Sequence, residues 1–160
     1  MIKVKSTIKI NSRPEKIWIF LNDLSMGLSF NRFHKKIDSE NSFKLNCDSE
    51  VLIEHNFGFG NYEMILNVIK ISPNKKIIFE EKPKNKSDQL FFHQSEFEIV
   101  EESINLTRLN YTVKGTFANK FADLSFKPIL KGVMLEELIK IKIAIESSYS
   151  RANTGQYNPA

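Results

Sequence analysis

From about Lys35 to Gly115 the apolar residues recur at every second position. Turn-forming clusters cut this run at Gly58-Phe59-Gly60, Ser72-Pro73-Asn74-Lys75, Pro83 to Asp88 and Glu101-Glu102-Ser103. Period two with short interruptions dictates antiparallel strands joined by hairpins, because parallel neighbours would need crossovers of about a dozen residues. The pattern predicts six strands: Lys36 to Phe43, Val51 to Phe57, Tyr62 to Ile71, Lys76 to Glu81, Leu90 to Val100, and Ile104 to Lys114.

The flanks of this meander follow other periods. Ile2, Val4, Ser6, Ile8 and Ile10 alternate with Lys3, Lys5 and Lys9, which predicts a first strand with one wet face. Ser12-Arg13-Pro14-Glu15 has the spacing of a capping box with Pro14 in the first turn. Ile17, Phe20, Leu21 and Leu24 then form one helical stripe with Trp18 on its flank, and Met26-Gly27 suggests a short second helix. In the last third, Phe121, Leu124, Met134, Leu135, Leu138, Ile141 and Ile145 fall at helical spacing, and Glu136 can pair with Lys140. Pro128 should kink this segment or split a lead-in from the main helix, and Gly132 weakens the turn that follows. The piece from Pro128 to Tyr149 would span about 33 Å, enough to cross a curved sheet.

A length of 160 residues with 41% hydrophobic content suits one domain with a sizeable core, expected over residues 1–150, with a polar tail at 151–160 expected to be disordered. The net charge of +4 is small, and 19 of the 23 basic residues are Lys. Base readout relies on the planar Arg fork, so sequence-specific nucleic-acid binding is not expected. The single cysteine, Cys47, cannot form an intrachain disulfide. The N-terminal alternation is unlike a signal peptide, and the longest apolar run, Ile17 to Leu21, is far too short to span a bilayer. The expectation is a cytoplasmic protein.

Hairpin register sorts the strands into two faces. The turn at Ser72 to Lys75 sets Val68 opposite Phe79 and Leu66 opposite Glu81, and a Gly58 to Asn61 turn would set Phe57 opposite Tyr62 and His55 opposite Met64. One face then reads Ile53, His55, Phe57, Tyr62, Met64, Leu66, Val68, Ile77, Phe79 and Glu81, and the reverse face is clearly more polar. Phe91, His93, Ser95, Phe97 and Ile99 extend the first face, followed by Leu109, Tyr111 and Val113; a one-residue shift would instead turn Arg108 inward. His55, Tyr62, Glu81, His93 and Tyr111 are thus polar side chains on an otherwise apolar concave face, suited to orienting the polar groups of an apolar molecule. Satisfied core residues are the competing account.

Other chemistry finds little support in the spacing. His34, His55 and His93 are dispersed, lack structural-zinc spacing and form no His-Glu-x-x-His motif, so neither a metal nor another cofactor is expected. Gly58-Phe59-Gly60 opens a strand and not a helix, which removes a phosphate cradle. Lys82, Lys84 and Lys86 read as a solvated loop, with weak docking on an acidic membrane surface as the other account.

Four segments carry a resemblance over nearly the whole chain: Ile8 to Trp18 with its Pro14-Glu15-Lys16-Ile17-Trp18 helix start, Gly60 to Pro73 ending in Ser72-Pro73, Lys76 to Glu80, and the closing helix with Pro128. Their order resembles the START and polyketide-cyclase-like (SRPBCC) superfamily. Its helix-grip fold is an α+β arrangement in which a seven-stranded curved antiparallel sheet, two short helices and a long C-terminal helix enclose a cavity. Phe30-Asn31-Arg32-Phe33 stands where many members carry a Trp-containing stretch. The resemblance implies binding or transport of an apolar small molecule such as a lipid, quinone or polyketide-like compound, with Met134, Leu138 and Ile141 roofing the pocket. A cyclase or dehydratase in which His55 or His93 moves a proton, and a surface-mediated protein-interaction module, are the alternatives.

Overall fold

The computed structural model describes residues 1–38, 45–47, 50–58, 60–85 and 90–154. Its elements run β1 (Ile2–Ile10), α1 (Pro14–Leu21), α2 (Leu24–Gly27), β2 (His34–Asp38), β3 (Glu50–Asn56), β4 (Asn61–Ser72), β5 (Lys76–Pro83), β6 (Phe92–Ser103), β7 (Leu106–Thr116) and α3 (Lys120–Thr154). The seven strands form one curled antiparallel sheet in the order β1-β7-β6-β5-β4-β3-β2, so the first strand closes onto the last and the hairpins fill the rest. Fold class and architecture are those the sequence predicts.

The β4–β5 hairpin has the expected register, with Val68 opposite Phe79 and Leu66 opposite Glu81. Asn74 takes a positive φ of 60° in its turn, and the Lys75 amide donates to the Ser72 carbonyl. The β3–β4 register differs from the expected one. His55 faces Tyr62 and Ile53 faces Met64, a displacement of two residues that leaves every side chain on its predicted face. Phe57 therefore lies in the turn and not in the strand, yet it still points inward. Arg108 faces out, where its Nη1 donates to Glu102 Oε1 at 3.0 Å.

The capping box does not form. Arg13 is the N-cap of α1, without a side-chain cap, and Pro14 opens the first turn. Ser12 is buried one residue further back, where its carbonyl accepts from the Thr107 hydroxyl at 2.7 Å. Anchoring Ser12 on β7 holds it out of capping position, and Pro14 fixes the entry angle in its place.

Pro128 does not divide α3, which is one helix of 35 residues reaching Thr154. Asn119 caps it, its Oδ1 accepting from the amides of Phe121 and Ala122. The buried stripe is Phe126, Leu130, Val133, Met134, Leu138, Ile141 and Ile145. Phe121, Leu124 and Leu135, expected on that stripe, are exposed. The first turn of α3 is held by Asp123 instead, whose carboxylate accepts from the Phe117 amide, the Thr116 hydroxyl and the Met1 amino group, and the large apolar side chains of the gripping face begin at Phe126.

Candidate functional site

Four strands carry titratable side chains to one point inside the sheet. His34 opens β2 and pairs across with His55 of β3, while Glu81 of β5 pairs across with His93 of β6. All four residues are buried or nearly so, and their side chains converge on the Glu81 carboxylate. Nε2 of His55 stands 2.8 Å from Glu81 Oε2, Nε2 of His34 stands 3.8 Å from the same oxygen, and Nε2 of His93 stands 3.4 Å from Oε1. The remaining nitrogens of two rings face backbone carbonyls, His34 Nδ1 that of Leu28 at 2.8 Å and His93 Nδ1 that of Phe91 at 3.0 Å.

Aromatic side chains wall this cluster. The His34 and His55 rings meet edge to face with centroids 4.5 Å apart, Phe57 lies 5.1 Å from His55, and Phe91 stacks on His93 at 4.9 Å. Phe126 of α3 touches Phe33, Phe57, Phe91 and Phe117, fastening the helix over the cluster.

The surroundings push His34, Glu81 and His93 apart electrostatically. Burial lowers the pKa of His34 to about 4, against the pull of Glu81, so this ring is neutral at neutral pH. Burial also opposes charge on Glu81, but the His93 and His55 imidazoles outweigh it and hold the carboxyl well below the usual carboxylate range. Burial opposes charge on His93 in turn, and the Glu81 carboxylate raises its pKa above the ordinary imidazole value. The result is a buried Glu81–His93 ion pair beside two further imidazoles.

A second polar group lies under α3. Tyr111 stacks on Phe97 at 4.1 Å, and its hydroxyl meets the side chains of Asn31 and Glu137 with Ser95 beside it. Burial, then the negative charges of Glu137 and Glu81, raise the phenol well above its ordinary value. Glu137 is 1% exposed; burial, then the charge of Glu81, push its carboxyl well above the usual range, against the opposing effects of Lys140 and Tyr111. The folded chain therefore holds a proton on Glu137 that the unfolded chain releases above about pH 4.3, and stability falls as pH rises from there. Glu137→Gln removes that proton exchange. Its stability relative to the parent should climb as pH rises above about 5, by up to about 1.4 kcal/mol per pH unit, until the buried carboxyl itself ionises. Urea unfolding at several pH values reads this directly, and a constant difference would mean that Glu137 is ionised in the fold.

Of the side chains singled out from sequence, His55, Glu81 and His93 meet, and Phe57 packs on His55. Tyr111 joins Glu137, while Met64, Phe79, Phe97, Met134 and Leu138 are buried in the surrounding core. Tyr62 is half-buried opposite His55. Sequence reasoning missed His34, Asn31 and Glu137 as site residues. Of the expected basic loop, Lys82 instead lies in β5 opposite Ile65, Lys84 pairs with Glu63 at 2.8 Å, and Lys86 lies outside the described residues. An outer groove of about 600 Å³ between Pro14, Lys70, Lys75 and Glu101 includes none of the cluster residues in its lining. No helix among the described residues is long and apolar enough to cross a membrane.

No protein-family model matches the chain, and no curated protein matches it. Solved structures share its fold. The protein jhp0584 of Helicobacter pylori superposes with a TM-score of 0.74 at 11% identity, over 89% of this chain and 87% of that one. A conserved protein of Geobacillus kaustophilus gives 0.70 at 16% identity, over 92% and 97%. DynU16, from the dynemicin biosynthetic locus, gives 0.65 at 12% identity, over 91% of this chain and 48% of that one. At these identities the likeness is one of architecture: a curled antiparallel sheet with a C-terminal helix, compatible with the helix-grip fold.

Proposed function

We propose that this chain is a START-like binding module that carries an apolar small molecule between its sheet and α3. The observation that supports this most is the composition of the concave face. Aromatic and aliphatic side chains of β3 to β7 and α3 surround two compact polar groups, Glu81 with its histidines and Tyr111 with Glu137. Such a face holds an apolar body by area and fixes its orientation through a few polar contacts. The solved neighbours are compatible with a cavity between sheet and helix.

A second reading, an enzyme that moves a proton on such a molecule, draws on the two carboxyl groups. Glu81 and Glu137 are driven in opposite directions by their surroundings, a division that suits acid and base roles.

Native mass spectrometry of the protein from its own host, followed by denaturing extraction, tests the carrier reading. A stoichiometric apolar compound is expected, and Tyr111→Phe should weaken retention of a polar-headed ligand about threefold to tenfold by loss of one hydrogen bond. An empty protein that gains no thermal stability from a panel of lipids and quinones would count against it. Turnover of the extracted compound, lost in Glu137→Gln with affinity kept, would favour the enzyme.

A further inference from the structure

From the convergence of three ring nitrogens on one buried carboxylate, we infer that His34, His55 and Glu81 form a binding site for a single divalent transition-metal ion of the zinc and cobalt type, with His93 positioning the carboxylate. The inference is independent of the apolar-ligand reading.

Geometry carries it first. One ligand atom from each of His34, His55 and Glu81 lies within 4.8 Å of the other two. Atoms bound to one ion at about 2.0 to 2.2 Å stand about 3 to 3.5 Å from each other. The 2.8 Å and 3.8 Å separations of the two imidazole nitrogens from Glu81 Oε2 bracket that range, so small side-chain rotations would seat an ion.

Hydrogen bonding carries it second. The carbonyls of Leu28 and Phe91 can only accept, so they fix the proton of His34 and of His93 on Nδ1. A neutral ring so held presents Nε2 as a lone pair, and in His34 that lone pair faces a carboxylate oxygen. Two acceptor atoms that face each other at 3.8 Å in a buried site are unfavourable, and a cation between them would relieve this. His34 Nε2 lacks a hydrogen-bond partner among the described residues, and His55 Nε2 and Glu81 Oε2 approach to 2.8 Å without the alignment of a well-formed hydrogen bond. These three atoms would bind the ion, and His55 Nδ1 is the fourth atom of the cluster without a partner among the described residues. The His34 Nδ1–H held by the Leu28 carbonyl is also the arrangement that orients metal-ligating imidazoles.

The fourth histidine acts on the other oxygen. His93 Nε2 faces Glu81 Oε1 and leaves Oε2 to the ion, while Phe57, Phe91 and Phe126 wall the surroundings. Two imidazoles and one carboxylate suit Zn²⁺ or Co²⁺ better than Mg²⁺ or Ca²⁺, which prefer oxygen. Three protein ligands leave at least one position for water or for an oxygen of a bound molecule.

The test uses the full chain, stripped with a chelator and titrated with Co²⁺ and then Zn²⁺. One ion per chain is expected, with a visible Co²⁺ spectrum of nitrogen and oxygen ligation that Zn²⁺ abolishes and a rise in Tm on loading. His34→Ala and His55→Ala should each remove binding, and His93→Gln should weaken it about 10- to 100-fold. X-ray absorption on the zinc-loaded parent, which needs no variant to fold, should show two imidazoles and no sulfur. No uptake, unchanged uptake in the His34→Ala, His55→Ala double variant, or a sulfur ligand from Cys47 would each overturn the assignment.

Discussion

Replacing Glu81 by Ala should destabilise the metal-free protein by about 3–5 kcal/mol, the scale for removing one partner of a buried pair. Among the described residues, Glu81 is the shared carboxylate partner of three histidine rings in an interior walled by Phe57, Phe91 and Phe126. Without it, His93 either keeps a charge with no counterion or gives up its proton, and both leave polar groups desolvated and unpaired. For a chain of this length the loss corresponds to a fall of roughly 6–20 °C in Tm. The contrasting variant is Glu81→Leu combined with His93→Leu. Removing both members of the pair leaves no orphan charge, so the double variant should recover a large part of what Glu81→Ala loses. Chemical denaturation of the parent, Glu81→Leu, His93→Leu and the double variant gives the coupling energy. A Glu81→Ala protein within about 1 kcal/mol of the parent would show that water reaches the cluster and that the pair is screened.

Alternation made most of this fold legible, and pairing geometry explains what it hid. The inner face of β3, β4 and β5 is the predicted one even though the β3–β4 register is displaced, because a shift of two residues preserves facing. His34 escaped because the expected strand began at Lys36. The register shift between His34 and Lys36 turns His34 inward against His55, and bulges of that kind leave no mark in hydrophobic periodicity. The three histidines are far apart in sequence, so local ligand spacing could not bring them together; strand pairing does. Glu137 carried a readable signal. Met134, Glu137, Leu138 and Ile141 follow the i, i+3, i+4, i+7 pattern of one helix face, which puts a carboxyl on the buried stripe. The capping box failed for the opposite reason: its spacing was right, but the Thr107 hydroxyl holds Ser12 on the sheet.

Adding one methyl group at Gly115 should cost about 3 kcal/mol or more, whereas the same change at Gly132 should stabilise the protein by about 0.5–1 kcal/mol. Gly115 is buried in β7 opposite His93 and beside Ile2. A Cβ there would stand 2.5 Å from His93 Cβ, 2.6 Å from Phe91 Cζ and 2.6 Å from the Phe92 carbonyl oxygen. The first and last of these neighbours are fixed to the β6 backbone, so the clash cannot be relieved by a rotamer change and β6 must separate from β7. That movement would carry His93 away from Glu81 Oε1 and Phe91 away from Phe117 and Phe126, linking the packing defect to the cluster. Gly132 lies in α3 with nothing within 4 Å of the added Cβ, so Ala there gains helix propensity and gives up no contact. Thermal unfolding of Gly115→Ala should therefore shift down by about 6 °C or more while Gly132→Ala shifts up by about 1–4 °C. Equal shifts of one sign would mean that β6 and β7 tolerate separation, and the close approach at Gly115 would then no longer account for how His93 is held against Glu81.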